Sequence, residues 1–437
     1  MQAKKALLDV RRGEIPLVAL MFSYFFLVIT VFWILKPIKK TVFISYYAQP
    51  GADFLGLNGP EAELLAKVGN MFVAYVAVIA FSMLSNSLRR QQLTFVFSGF
   101  CVAVLGAFCF AIGDPSEPVV WSFYLFGDLF NTLMVATFFA FLNDSVAPHA
   151  AKRLYGPIVL GGVSGGAFGS LFVAAMTRSS NLGNAEWIEV CVFGTVLIAA
   201  VAWGAGREVA KNPPPEEPRK PDEEPATRGN PALEGGKLVF KSSYLLSIVA
   251  IVGLYEIVST ILDYQFTATL VEYADDFGSA VSTVYAITNV TALLVQIFLT
   301  TLVLDKFGLK IGLLVMPVAI LAGSFGFLAI PLLLTGSALN TVDNGLNYSI
   351  NQSAREALYT ATSREEKYKA KAFIDMFVQR FAKAIAVGIA LAMGALFEGF
   401  ESVRYLSLIT IVLVGAWFFA ARYAGQRFDE LTEGAEE

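Results

Sequence analysis

Lys211–Gly236 reads KNPPPEEPRKPDEEPATRGNPALEGG. Proline and mixed charge dominate it, so it can bury too little apolar surface to offset the entropy of ordering, and an extended, disordered connector is expected. On both sides the sequence changes character. Apolar runs of about twenty residues recur, each long enough to cross roughly 30 Å of hydrocarbon as a helix. They lie near 16–36, 62–85, 92–113, 118–143, 155–176 and 187–206 before the connector, and near 243–270, 279–304, 309–333, 335–359, 371–397 and 402–424 after it. The expected fold is therefore an all-α integral membrane protein of twelve transmembrane helices. Its expected parts are an N-terminal six-helix half over 1–210, a cytoplasmic linker over 211–241 and a C-terminal six-helix half over 242–437.

Composition agrees, since 56% of the 437 residues are hydrophobic, which places the chain among membrane proteins rather than soluble enzymes. Positive residues in short loops mark the cytoplasmic side. Lys4, Lys5, Arg11 and Arg12, then Arg89–Arg90, Lys152–Arg153, Lys306 with Lys310, and Arg364 to Lys371 fall in alternate loops. Intervening loops carry acids, as at Asp114, Glu117, Glu272, Asp275 and Asp276, with only Arg178 and Arg404 dissenting. Both termini are thus expected in the cytoplasm. A first span of this length reads as a retained anchor, and a bacterial inner membrane is the simplest location.

No basic face suggests nucleic acid. Cys101, Cys109 and Cys191 fall in spans without metal-ligand spacing and read as packing. His149, the only histidine, has no nucleophile or metal partner nearby in sequence, so neither enzymatic chemistry nor a cofactor is expected. A monomer is expected.

Charges inside the apolar spans are the functional signal: Lys67, Asp128, Glu256 and Lys383, in the second, fourth, seventh and eleventh spans. An ionised side chain near a bilayer centre costs roughly 2.5–3.5 kcal/mol, so such residues face a water-filled path or each other. Lys67, near the start of its span, could instead snorkel to the interface. Asp128 has Asn131 one turn away, and a structural ion pair is the alternative for it and for Glu256. Arg380 and Lys383 share a helical face, a repulsive arrangement that makes sense if an anion arrives between them. In the tenth span Asn340, Asp343, Asn344, Asn347, Asn351 and Arg355 recur at three- and four-residue steps, a polar stripe that either lines a cavity or serves as interhelical hydrogen-bonding glue. Glu256, Thr260 and Asp263 repeat the pattern in the seventh span. Lys36, Lys39 and Lys40 at the end of the first span fit either a headgroup anchor or an anion-attracting mouth.

Two local motifs read as structural. Gly161, Gly162, Gly165, Gly166 and Gly169 repeat every four residues within an apolar helix, a pattern of close helix packing rather than a phosphate loop. Ser363 followed by Glu366 forms a capping box ahead of the eleventh span.

Two six-span halves joined by a long cytoplasmic linker resemble the plan of the major facilitator superfamily. Asp305-Lys306-Phe307-Gly308-Leu309-Lys310 is similar to that superfamily's acidic-basic-Gly-basic loop, and Ser87-Leu88-Arg89-Arg90 keeps the basic pair. A narrower resemblance rests on Arg355-Glu356-Ala357-Leu358-Tyr359, then Glu366-Lys367-Tyr368-Lys369-Ala370-Lys371-Ala372-Phe373-Ile374-Asp375, then Lys383. This stretch resembles the ATP/ADP translocases of plastids and intracellular bacteria, as do Ala151-Lys152-Arg153-Leu154-Tyr155-Gly156 and Leu254-Tyr255-Glu256.

The resemblance implies a transporter exchanging nucleotides, ATP for ADP, with substrate-binding roles on Lys67, Asp128, Glu256 and Lys383. It departs at Asp128, where the family has glutamate, and at Leu35-Lys36-Pro37-Ile38-Lys39-Lys40, where it has an Arg-Asp-x-Lys-Asp run. Lys67 and Lys383 are expected to grip phosphates with support from Arg355 or Arg380. Asn131, Asn347, Asn351 and Tyr359 complete the candidate set, and the partners implied are ATP, ADP and the lipid bilayer. The alternative is a proton-coupled symporter of another organic anion or metabolite.

Overall fold

The computed structural model describes residues 10–146, 148–180, 182–211, 231–397 and 399–433. The connector's core, 212–230, the basic Lys4 and Lys5, and the side chains of His149 and Lys152 lie outside the described residues. The major helices are α1 (Ile15–Tyr47), α2 (Gly59–Ser87), α3 (Arg90–Ala111), α4 (Glu117–Ser145), α5 (Pro148–Ser179), α6 (Asn184–Lys211), α7 (Ser243–Tyr273), α8 (Phe277–Leu294), α9 (Thr301–Ala329), α10 (Leu333–Leu346), α11 (Gln379–Leu396) and α12 (Glu401–Glu433). Among the described residues the only β pairing is a single bridge between Phe54 and Leu57.

Eleven helices among the described residues are long and apolar enough to cross a membrane. The expected tenth span is the exception. It is helical from Leu333 to Leu358, but as α10, a π-helical turn at Asn347–Asn351 and a short helix at Gln352–Leu358. Its polar stripe dilutes the apolar run that the other spans share.

The chain divides into two compact units, Met1–Pro218 with Gly278–Asn289, and Arg219–Phe277 with Val290–Glu437. In the first unit α1 is central, packing against α2, α4, α5 and α6. The glycines of α5 explain its approach: a Cβ at Gly161 would stand 2.4 Å from the Phe22 carbonyl oxygen, one at Gly165 2.3 Å from that of Phe26, and one at Gly169 2.7 Å from that of Thr30. Thr30 Oγ1 then donates to the Gly165 carbonyl at 3.2 Å. The packing reading of these glycines holds, because backbone-to-backbone contact is what removing the Cβ permits.

α1 does not stop at Lys36. Val42, Phe43, Ile44 and Tyr47 are buried and carry the helix another three turns. Lys39 and Lys40 consequently sit inside the helix, 4% and 3% exposed, and the headgroup-anchor reading fails for both.

In the second unit α7 packs on α10, α11 and α12, and Gln265 Nε2 ties α7 to α12 through the Val403 carbonyl at 2.7 Å and Ser407 Oγ at 3.0 Å. Gly308, with φ 77°, kinks α9 internally at the expected Asp305–Lys310 loop. Open space surrounds its Cβ position, so the requirement there is conformational rather than steric.

The end of the expected linker is ordered. Pro231–Val239 is helical and packs on the Arg364–Phe373 helix, which begins with the Ser363–Glu366 capping box. Gly235 and Gly236 allow this contact, since a Cβ at Gly235 would stand 2.0 Å from the Lys369 carbonyl oxygen and one at Gly236 3.1 Å from the Phe373 ring. The extended connector expected through Gly236 is thereby corrected for its last residues, which are helical from Pro231.

Candidate functional site

Each unit carries a lysine–carboxylate pair between two of its helices. In the first unit, Asp128 lies eleven residues into α4, about 16 Å from its start. Its Oδ1 accepts an ion pair from Lys39 Nζ of α1 at 2.6 Å, with Lys39 5% and Asp128 40% exposed. Asn70 of α2 donates to the other oxygen, Oδ2. Lys39 Nζ also donates to the Tyr124 carbonyl at 3.3 Å and stands 4.4 Å from the Tyr124 ring centroid.

Directly behind it, Lys40 Nζ lies 3.1 Å from Glu63 Oε1, and the Tyr124 hydroxyl donates to the same oxygen at 2.8 Å. Tyr124 thus links an accessible pair to a sealed one. Lys36, further back along α1, places its ammonium 4.4 Å from the Trp33 ring and 4.8 Å from that of Tyr285.

The remaining first-unit candidates lie on the two helices that meet at the Asn70–Asp128 contact. Lys67 is half-buried on α2, eight residues from the helix start and one turn before Asn70. Asn131 is one turn after Asp128. Asn70 Oδ1 and Asn131 Oδ1 are both buried without a hydrogen-bond partner among the described residues, two acceptors beside one carboxylate. Orphaned acceptors at such a position suit ligand donors such as hydroxyls or an exocyclic amine.

In the second unit, Lys383 Nζ of α11 stands 3.6 Å from Glu256 Oε2 of α7, with the lysine 44% and the glutamate 14% exposed. Ser259, almost one turn along α7, donates to Asp343 Oδ2 of α10 at 2.7 Å. Arg355 lays its guanidinium 5.1 Å from the Tyr255 ring centroid, and its Nη1 is buried without a hydrogen-bond partner among the described residues. Arg380 is half-buried three residues before Lys383, in the first turn of α11.

The polar stripe of the tenth span is bonded in part along its own helix, while Asn340 Nδ2 and Asp343 Oδ1 are buried without a hydrogen-bond partner among the described residues. Asn344 Nδ2 donates to Asn340 Oδ1 at 2.9 Å, Asn351 Nδ2 donates to Asn347 Oδ1 at 3.1 Å, and Asn340, Asp343 and Asn351 are each 1% exposed. Tyr359 is buried beneath Lys371, whose ammonium is 5.8 Å from its ring and 2.6 Å from Glu356 Oε1.

Three π-helical turns are present among the described residues, all in the second unit's chain segments: Val295–Thr300, Asn347–Asn351 and Ile374–Val378. The second contains Asn347 and Asn351, and the third leads directly into the helix bearing Arg380 and Lys383. Wide turns of this kind relax the hydrogen-bond ladder and recur at functional sites.

The structure therefore brings Glu256 to Lys383 and Asn70 to Asp128, and it gives Asp128 an ion pair with a lysine outside the expected set, Lys39. Lys39 and Glu63 were both visible in the sequence. The apolar residues after Lys40 show that the first span runs past its lysines, and Glu63 is a charge inside the expected second span.

Eleven long apolar helices among the described residues, with lysine–carboxylate pairs between helices in each unit, define a multi-pass membrane transporter. The family model for the Major Facilitator Superfamily matches residues 17–366, and the chain belongs to that superfamily. A second model, TLC ATP/ADP transporter, matches residues 328–428. "ADP,ATP carrier protein 1" of Chlamydia pneumoniae is 23% identical over 95% of this chain and 92% of its own length. "ADP,ATP carrier protein 1, chloroplastic" of Arabidopsis thaliana is 22% identical over 87% of this chain and 70% of its own length. The POT family transporter PepTSo has the same fold, with a TM-score of 0.64 at 11% identity over 96% of this chain and 98% of that one.

Proposed function

We propose that this protein exchanges nucleotides across a membrane, ATP for ADP, by alternating access of its two halves. The observation that carries the reading is the Glu256–Lys383 contact: a half-exposed lysine held 3.6 Å from a carboxylate on a neighbouring span. ATP carries about four negative charges and ADP about three, and neither crosses lipid uncompensated. In the empty protein, carboxylates occupy the lysines; bound phosphates take their place. Reorientation without cargo is disfavoured when charges would be left buried and unpaired, which favours exchange over leak. Lys67, Arg355 and Arg380 add positive charge, while Asn131 and Asn347 supply hydrogen-bonding groups for ribose and base; Asn351 and Tyr359, buried at 1% and 4% exposure, support the site from behind. The names of the relatives agree with this cargo. The membrane is a bacterial inner membrane, both termini are cytoplasmic and the working form is a monomer.

A thermal-shift series on purified protein tests the cargo. ADP and ATP are expected to raise the melting temperature in proportion to the logarithm of concentration, and Lys383→Ala to abolish the shift. No shift with either nucleotide, together with stabilisation by a different organic anion, would replace nucleotide with that anion.

A further inference from the structure

We infer that Lys39 is the first unit's phosphate-gripping cation, and that Gly127 is a positioning residue for it because it provides the space in which the Lys39 stem lies. This rests on the nucleotide-exchange reading and extends it to two residues that the comparisons do not assign.

The geometry of the cradle is built around one side chain. A Cβ at Gly127 would stand 2.5 Å from Lys39 Cδ, 3.4 Å from Cε and 3.5 Å from Cγ, so any larger residue there displaces the lysine. The Tyr124 ring, one turn earlier on α4, lies 4.4 Å from the ammonium, and the Tyr124 carbonyl accepts from it at 3.3 Å. Two of the lysine's three donors are thus committed, one to a backbone oxygen and one to Asp128.

The Asp128 contact is the charged one, and a phosphate oxygen can take the place of that carboxylate oxygen. Asp128 is the accessible member of the pair, 40% exposed against 5% for Lys39, so an incoming anion meets the pair at the carboxylate. Asn70 already donates to the second carboxylate oxygen, leaving Asp128 with a partner when Lys39 turns to a phosphate. The neighbouring Lys40 is already compensated by Glu63 behind a sealed surface, with both side chains 3% exposed. Among these two adjacent lysines, the one with an exchangeable partner is Lys39.

Titration calorimetry with ADP on purified full-length protein tests this without transport. Loss of a charge-assisted bond to phosphate is worth about 1.5–3 kcal/mol, or roughly ten- to a hundred-fold in Kd. Lys39→Gln is expected to weaken ADP binding by at least about ten-fold. Gly127→Ala, which changes no charge, is expected to weaken it comparably, and the double variant no further. Gly106→Ala, where a Cβ meets nothing within 4 Å, serves as the packing control and is expected to bind as the parent does.

Where Gly127→Ala lowers stability, Gly127→Ala combined with Lys39→Ala is expected to melt like Lys39→Ala alone, because the clash partner is gone. Tight ADP binding by Lys39→Gln would overturn the inference and leave nucleotide exchange standing. Equal effects of Gly127→Ala with and without Lys39 would overturn the role of Gly127. Failure of the parent protein to bind ADP would instead overturn the nucleotide reading itself.

Discussion

Lys40 Nζ and Glu63 Oε1 lie 3.1 Å apart with both side chains 3% exposed, and the Tyr124 hydroxyl donates to the same carboxylate oxygen at 2.8 Å. A closed ion pair of this kind is costly to break from one side, because the surviving charge is left in low dielectric without a partner.

Removing either charge alone is therefore expected to be severe. Lys40→Met and Glu63→Leu should each destabilise the first unit by about 3–5 kcal/mol, whereas the double variant should recover much of that loss. Unfolding in mixed micelles at graded denaturant measures it, and a double variant as unstable as the sum of the singles would refute the coupling.

Close packing of α5 on α1 sets a second expectation. Gly165→Ala would place a Cβ 2.3 Å from the Phe26 carbonyl oxygen, and the backbone shift it forces should cost about 1–3 kcal/mol. Gly99→Ala, where a Cβ meets nothing within 4 Å, should be nearly neutral in the same unfolding assay.

Arg153 grips Glu14 with both terminal nitrogens, Nη1 to Oε2 and Nη2 to Oε1, each at 2.7 Å. Lysine cannot reproduce that fork, so Arg153→Lys should lose stability although the charge is kept. A loss of about 1 kcal/mol is expected, with Arg153→Gln losing more; identical melting of Arg153→Lys and the parent would show that the fork contributes nothing.

Lys383 and Glu256 form the looser pair, 3.6 Å apart with the lysine half-exposed. Lys383→Gln should cost less stability than the Lys40 or Glu63 single variants, because Lys383 is half-exposed, while weakening nucleotide binding at least about ten-fold. A large stability loss with unchanged binding would make this a structural pair instead.

Much of this architecture is legible in the sequence because apolar runs and loop lysines are local signals. Asp128, Glu256 and Lys383 stand out for the same reason, each a charge in an otherwise apolar window. What stays hidden is partnership. Lys39 meets Asp128 across 89 positions of sequence through an α1 that continues past its lysines, and only the packing of α1 on α4 decides which lysine reaches that carboxylate. The tenth span shows the reverse limit. Its polar stripe is plain in the sequence, but the π-turn at Asn347–Asn351 and the bonds of Asn344 to Asn340 and of Asn351 to Asn347 depend on three-dimensional detail that periodicity does not encode. Gly235 and Gly236, at the end of a proline-rich run, read as linker; their partner helix is more than a hundred residues away.

Counter-exchange in proteoliposomes tests the central claim most directly. Vesicles containing the purified protein and loaded with ADP should take up labelled ATP, vesicles without internal nucleotide should take up little, and an imposed pH gradient should not substitute for internal ADP. Uptake that is driven by the pH gradient and indifferent to internal nucleotide would contradict exchange and favour proton-coupled symport.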